Sequence, residues 1–217
     1  MAKPIKSPPD ALLLMGRQCP YCPTVLKGLQ TLLQDHVIGK LETVVIEDHP
    51  DRATELGVRS VPWVRIGTFE LTGLRSEQEL REWAQQAGSL QGTAKYLDEL
   101  LSTGNIGKVL DAISAEPGTM QALLLLFADP DTELNTRIGI SAVMESLEGG
   151  TELQTIEPEL YELLRHTEAR VRGDACYYLA LGGNRGSLSR IEPLLQDPDH
   201  NVREIAHDTI ARLTGSE

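Results

Sequence analysis

The sequence predicts an α/β domain followed by an all-α domain built from helix pairs. Short apolar runs alternate with helical periodicity up to about residue 90. Beyond it the periodicity is helical throughout, and one pattern recurs three times. A chain of 217 residues is long enough for two domains with separate cores. We therefore predict one domain over 1–90 and a second over 91–217.

The first domain is predicted to have the element order βαβαββα. Its strands are runs bounded by turn residues, and its helices show apolar residues at helical spacing. Ser76 and Glu79 have the spacing of a capping box, which predicts the start of the last helix. The predicted elements are a strand at 11–15, a helix from 24, a strand at 43–46, a helix at 51–56, strands within 61–66 and 69–71, and a helix from 77.

Two thiols stand three positions apart in GRQCPYCPTV, residues 16–25, where the first strand leads into the first helix. Cys19 is predicted to lie at the helix N-terminus, where unpaired N–H groups and the C-x-x-C spacing stabilise a thiolate. Cys22 lies one turn further in and would act second. Pro20 suits the first helical position because it lacks an N–H. The spacing lets the two sulfurs form an intramolecular disulfide during thiol exchange.

The same cysteine pair could in principle belong to a metal site. A structural zinc takes four ligands, usually from two such pairs, and the sequence has no second C-x-x-C or H-x3-H. His36 and His49 are isolated. A redox dithiol is therefore favoured and no cofactor is expected, with a pair that has lost its function or an iron–sulfur cluster bridging two molecules left as alternatives.

The segments CPYCP, VVIEDHPDRATELGVRSVPWVRIG and TGLRSEQELREWAQQA together resemble thioredoxin-fold disulfide oxidoreductases. The resemblance covers about residues 10 to 88, and Pro-Tyr between the cysteines is the glutaredoxin dipeptide. It implies a thioredoxin/glutaredoxin-like domain in which Cys19 is the nucleophile and Cys22 the resolving thiol. It also implies that Pro62 is a cis-proline facing them.

The resemblance also implies a groove for an extended substrate beside the dithiol. Pro20 and Tyr21, between the cysteines, would contact the substrate. The backbone of Val61 would pair with it, and Gly73, after the last strand, would leave space for its chain. Trp63 is expected to line the groove, although an aromatic residue in a strand is more often part of a core.

Two positions depart from these relatives. Leu13 stands where thioredoxins hold a buried acid beneath the second cysteine, so proton transfer to or from Cys22 must use water or another group. Gly16 stands where many glutaredoxins carry a lysine, with Arg17 as a displaced substitute. The electron donor, glutathione or a thioredoxin system, therefore stays open.

The second domain contains three similar segments: LFADPDTELNTRIGISAV, LLRHTEARVRGDACYYLA and LLQDPDHNVREIAHDTIA. The Val-Arg of the last two resembles HEAT repeats, and with 94–116 as a first hairpin the pattern predicts a solenoid of about four helix pairs. Arg172 and Arg203 are predicted to reach acidic turns of adjacent repeats. The predicted apolar stripes lie at 134, 138 and 142, at 171, 175 and 179, and at 202, 206 and 210.

The net charge of −12 is unevenly distributed, with −1 over residues 1–90 and −11 over 91–217. An acidic surface repels phosphate backbones and anionic lipid, so nucleic acid and membranes are not expected partners. No run approaches the ~18 apolar residues of a membrane span, and the start MAKPIKSPPD lacks the apolar core of a signal peptide. The chain is therefore expected in the cytoplasm, where a close cysteine pair favours catalysis over a structural bridge.

These observations predict a cytoplasmic thiol-disulfide oxidoreductase that reduces or exchanges protein disulfides. Helical repeats of this kind present extended surfaces for protein binding, so the second domain is expected to bind the client protein. Cys176 is predicted to be an inert, partly buried thiol. The alternative function is an adaptor in which the repeats bind partners and the first domain serves only for docking.

Overall fold

The computed structural model describes residues 7–116 and 118–215. The chain divides into two compact units, Met1–Thr93 and Ala94–Glu217. The predicted absence of a signal peptide depends partly on residues 1–6, which lie outside the described residues. No helix in the described part of the chain combines the length and apolarity that crossing a bilayer requires.

The first unit contains a four-stranded mixed sheet. The strands are β1 (Ala11–Met15), β2 (Leu41–Val45), β3 (Trp63–Ile66) and β4 (Phe69–Thr72), in the spatial order β2-β1-β3-β4. Strand β1 pairs in parallel with β2 and antiparallel with β3, which forms an antiparallel pair with β4. The helices are α1 (Cys22–Gln34), α2 (Pro50–Glu55) and α3 (Glu77–Gln86), so the predicted order βαβαββα is confirmed.

Strand β1 is the centre of this unit because both of its faces are buried. Leu12 and Leu14 point to one face, where they form a cluster with Trp63 and residues of α2 and the loop after it. Leu13 alternates to the opposite face and is also fully buried. A strand that is apolar at every position suits this central place.

Helix α3 begins as the sequence predicts. The Ser76 hydroxyl accepts the backbone N–H of Glu79, and the Glu79 carboxylate accepts the N–H of Ser76, which completes a capping box. The helix packs against β4 through an edge-to-face contact between Trp83 and Phe69, whose ring centroids are 5.2 Å apart. The cap therefore fixes the start of a helix that encloses the core.

The second unit is helical, with no strand among its described residues. Two short 3₁₀ turns, Arg185–Ser187 and Glu192–Gln196, flank α11. Helix α4 begins before the boundary of the unit. The helices are α4 (Leu90–Ser102), α5 (Ile106–Ala115), α6 (Gly118–Ala128), α7 (Leu134–Ser146), α8 (Thr151–Thr155), α9 (Glu157–Leu163), α10 (Ala169–Gly182), α11 (Leu188–Ile191) and α12 (His200–Thr214).

The predicted apolar stripe is correct in α10 and wrong in α7. In α10 all three predicted positions, 171, 175 and 179, are fully buried. In α7, however, Leu134 and Ile138 are 60% and 59% exposed. The buried positions Thr136, Ile140 and Met144 lie two residues later than predicted.

Polar and small residues explain this shift in α7. Thr136 is buried because its hydroxyl donates to the Asp98 carboxylate at 2.6 Å. Gly139 is buried because a Cβ there would lie 2.9 Å from the Leu101 side chain, so only glycine permits the close approach of α4. The buried face of α7 therefore combines Thr136 and Gly139 with the apolar Ile140, Val143 and Met144, and it leaves Leu134 and Ile138 on the surface.

Arg172 links α10 to the turn before α12, as predicted for an arginine that reaches the next acidic turn. Its Nε and Nη2 donate to the two carboxylate oxygens of Asp197, both at 2.7 Å. Its Nη1 donates to the carbonyl oxygens of His166 and Thr167. The pair is mostly buried, and the guanidinium of Arg172 lowers the pKa of Asp197.

Arg203 does not reach an adjacent turn, which corrects the second half of that prediction. Its Nη1 donates to the carbonyl oxygens of Asp197 and Pro198, in the turn that precedes its own helix. Arg203 and Arg172 thus both bind the turn at 197–198, Arg203 through its carbonyl oxygens and Arg172 through the Asp197 carboxylate.

Replacing Arg172 with Ala should lower the free energy of unfolding by about 2 kcal/mol, between the values for exposed pairs and for fully buried ones. The loss follows because Asp197 would keep its charge without its bidentate partner. Urea unfolding followed by circular dichroism measures it. Arg212→Ala, which removes an exposed pair with Glu148, is the matched control and should cost less than about 1 kcal/mol. Equal losses in the two variants would contradict the structural role given to Arg172.

Candidate active site

The cysteine pair lies in the connection between β1 and α1. After Met15 the chain turns, and the backbone N–H of Cys19 donates to the carbonyl of Gly16 at 3.2 Å. The helix itself begins at Cys22, two residues before residue 24, where its apolar periodicity begins, and two residues after Pro20, the predicted first helical position. Pro20 therefore lies in the turn before the helix, and Pro23 is the proline of the first helical turn.

Cys19 and Cys22 form a disulfide, with their Cα atoms 5.4 Å apart. The backbone N–H of Cys22 donates to the sulfur of Cys19 at 3.1 Å. This is the predicted contact between the helix N-terminus and the first sulfur, and it would stabilise a Cys19 thiolate after reduction. Cys19 is half-buried, whereas Cys22 is fully buried. The two sulfurs therefore differ in access to a reaction partner.

The segment before β3 approaches this connection. The peptide bond between Val61 and Pro62 is cis, as the resemblance implied. A Cβ built on Gly16 would lie 3.3 Å from a methyl group of Val61 and 3.8 Å from the Cβ of Cys19. Val61 and Cys19 thus both lie beside Gly16, and a side chain at Gly16 would crowd Val61.

The other predicted groove residues differ in their accessibility. Pro20 is exposed, and Tyr21 is 54% exposed. Gly73 is exposed at φ +81°, and its N–H donates to the carbonyl of Pro62 at 2.9 Å. This bond ties the end of β4 to the cis-proline. Three of the predicted residues are thus exposed and Val61 is half-buried, and their contact with a substrate stays a prediction.

Trp63 is not a groove residue in this structure, which corrects the sequence-based expectation. Its side chain is only 1% exposed and packs in the core with Leu12 and Leu14. The reason is the strand alternation: the side chain of Trp63 points to the sheet face that α2 and the loop after it cover. It can support the cis-proline segment only from the buried core.

Sequence analysis did not identify Glu47, which lies beside the dithiol connection. Its carboxylate accepts the backbone N–H of Arg17 at 3.0 Å. The Arg17 guanidinium pairs instead with the neighbouring Asp48. One signal could have predicted this placement: parallel strands end at the same sheet edge, so residues that follow β2 lie beside residues that follow β1.

Residues 11–85 match the family model of the thioredoxin domain. This segment is a thioredoxin domain. The match contains both cysteines and the cis-proline, and it ends within α3. No curated protein matches the chain. The domain with its C-x-x-C disulfide is consistent with thiol-disulfide exchange.

The thioredoxin domain is followed by a third cysteine in the helical unit. Cys176 on α10 is fully buried, and burial raises the pKa of its thiol to about 11. Cys176 is thus more deeply buried than the predicted partly buried thiol, and its inertness stays a prediction that the raised pKa supports. Within residues 7–116 and 118–215, no group of three or more His, Cys, Asp or Glu side chains is arranged to hold a metal ion.

After reduction, iodoacetamide should modify Cys19 first, because it is the accessible sulfur that receives the Cys22 N–H. Cys22 should react at least tenfold more slowly, and Cys176 only after unfolding. Mass analysis of peptides from timed samples measures the three rates, and a urea-unfolded sample is the control in which all three react. Faster modification of Cys22 than of Cys19 would reverse the assigned roles.

Proposed function

We propose that the chain is a thiol-disulfide oxidoreductase that reduces disulfide bonds in protein clients. The observation that carries the proposal is the asymmetry of the Cys19–Cys22 pair. One sulfur is accessible and receives a helix N-terminal N–H, and the other is fully buried behind it. Such an arrangement suits an attacking thiol and a resolving thiol.

The reaction has two exchange steps. The Cys19 thiolate attacks one sulfur of the client disulfide, a mixed disulfide forms, and the client's other sulfur leaves as a thiolate that takes up a proton. The Cys22 thiol then loses its proton and attacks the Cys19 sulfur, which releases the second client sulfur. The chain ends oxidised as the Cys19–Cys22 disulfide, and the client has gained two electrons and two protons.

The client would bind in the groove formed around the cis-proline. Val61 offers backbone groups to an extended chain, and Gly73 leaves space beside it. Pro20 and Tyr21 form the accessible rim between the cysteines, and Pro62 faces the sulfurs. Their exposure, except for the buried Pro62, and the position of Val61 and Cys19 beside Gly16 support these roles.

The direction of the reaction follows from the proposed cytoplasmic location, where the thiol pool is reducing. After each cycle the Cys19–Cys22 disulfide would receive two electrons from glutathione or from a thioredoxin system. Both donors act by the same exchange chemistry and are distinguished by reconstituting the cycle with each in turn.

The helical unit is proposed to be a HEAT-like solenoid that binds the client protein. Its later helix pairs place equivalent residues in equivalent buried positions, as at Val171 and Val202. The exposed leucine and isoleucine of α7, Leu134 and Ile138, lie four residues apart and so on one face of the helix. An apolar pair of this kind can contact a client that the groove alone does not select.

Replacing Cys22 with Ser should trap the mixed disulfide on Cys19, because the resolving thiol is absent. The trapped partner is identified by its mass after non-reducing electrophoresis. The wild-type chain should reduce insulin with dithiothreitol as donor, whereas Cys19→Ser, the matched control, should neither reduce insulin nor trap a partner. Insulin reduction by Cys19→Ser at the wild-type rate would refute the nucleophile assignment.

The double replacement Leu134→Ser and Ile138→Ser should reduce trapping of the protein client severalfold in the Cys22→Ser background. In the chain that retains Cys22, the same double replacement should leave insulin reduction unchanged, since the dithiol is intact there. Leu90→Ser, at a leucine that is 40% exposed, is the control for loss of a surface apolar side chain. Unchanged trapping by the double variant would remove the α7 pair from the proposed client surface.

A further inference from the structure

The Glu47 carboxylate lies beside the dithiol connection and has no ion-pair partner among residues 7–116 and 118–215. A Cβ built on Gly16 would lie 3.3 Å from Glu47 Oε1 and 3.8 Å from the Cβ of Cys19. The carboxylate and the Cys19 side chain are therefore separated by no more than two contact distances. Because Gly16 has no side chain, only this small gap stands between them.

The hydrogen bond to Arg17 fixes where the charge of Glu47 lies. The backbone N–H of Arg17 donates to Glu47 Oε1 at 3.0 Å, and this amide belongs to the same connection as Cys19. The carboxylate thus moves with the loop that carries the nucleophile. A bond from a neutral amide positions the charge without neutralising it.

The cation of the dithiol connection, Arg17, is paired with another carboxylate. The Arg17 guanidinium pairs with the Asp48 carboxylate, which neutralises Asp48. Among the described residues, no ion pair involves Glu47. The net field of the 47–48 segment at the connection is therefore negative, and Glu47 is its source.

We propose that Glu47 is a positioning residue whose negative charge holds the pKa of the Cys19 thiol higher than the helix N-terminus alone would set it. A negative charge close to a sulfur disfavours the thiolate. A less stable thiolate makes the reduced dithiol less stable, which makes the chain a stronger reductant. The helix N–H and the Glu47 carboxylate would thus act in opposite directions on one sulfur.

Replacing Glu47 with Gln tests this because the amide oxygen can still accept the Arg17 N–H and only the charge is lost. Glu47 Oε1 lies no more than about 7 Å from the Cβ of Cys19. For a partly exposed site at this separation, Coulomb's law predicts a roughly three- to tenfold increase in the acid dissociation constant of Cys19. The pH dependence of the alkylation rate of Cys19, followed by peptide mass, measures it. Glu47→Lys should increase the constant further.

A second readout is the equilibrium with a glutathione buffer. In it the Cys19–Cys22 disulfide and two glutathione thiols exchange with the dithiol and one glutathione disulfide. The equilibrium constant for reduction of the disulfide should be larger in Glu47→Gln than in the wild type. The ratio of these two equilibrium constants should rise with pH to a plateau, which equals the ratio of the acid dissociation constants of Cys19 in the two proteins. A change in folding alone has no reason to follow thiol ionisation in this way.

Glu42→Gln is the matched control. Glu42 lies near the opposite end of β2, about 15 Å from Glu47 along the chain, where salt screens its charge from the dithiol. It should change the acid constant of Cys19 by less than about twofold. An unchanged or smaller acid constant in Glu47→Gln, or an equal increase in Glu42→Gln, would overturn the proposal.

The role of Glu47 rests on the proposed function, because it concerns how strongly the Cys19–Cys22 dithiol reduces a client. Both readouts use the purified full-length chain without a client. If insulin is not reduced but Glu47→Gln raises the acid constant, the enzymatic function fails and the Glu47 proposal stands. If insulin is reduced and the acid dissociation constant of Cys19 is unchanged in Glu47→Gln, the enzymatic function stands and the Glu47 proposal fails.

Discussion

The pairing of β1 with two neighbours of opposite direction is the constraint on which the site depends. Because β2 runs parallel to β1 and β3 runs antiparallel, the end of β1, the end of β2 and the start of β3 meet at one edge of the sheet. The segments that follow or precede those ends carry Cys19, Glu47 and Val61. Segments far apart in sequence are thereby brought beside one another by the backbone pairing of the sheet.

The order of elements and the dithiol were predictable because their signals are local. Strand β1 is a contiguous apolar run, the other strands are short β-rich segments bounded by turn residues, and the C-x-x-C motif needs only the helix that follows it. The position of Glu47 beside the dithiol depends on which strands pair, and a local sequence pattern does not show that pairing. The prediction that Trp63 lines the groove was wrong for a related reason, because its burial depends on which face of the sheet α2 covers.

The helical unit shows where residue type is an incomplete guide to burial. Leu134 and Ile138 have the right composition for a core stripe and yet lie on the surface. Their helix is oriented by a hydrogen bond from Thr136 to Asp98 and by the close approach that Gly139 permits. The buried face also contains Ile140, Val143 and Met144, so the polar pair and the close approach helped to select between two faces of α7 that both carry apolar residues.

The burial of Cys176 has a consequence for electron stoichiometry. The chain has three cysteines, and with one of them enclosed in the helical core only one disulfide couple is accessible in the folded molecule. Each chain can therefore store a single pair of electrons and has no second couple through which to pass them internally. A client with two disulfides would need two separate encounters, with a visit to the electron donor between them.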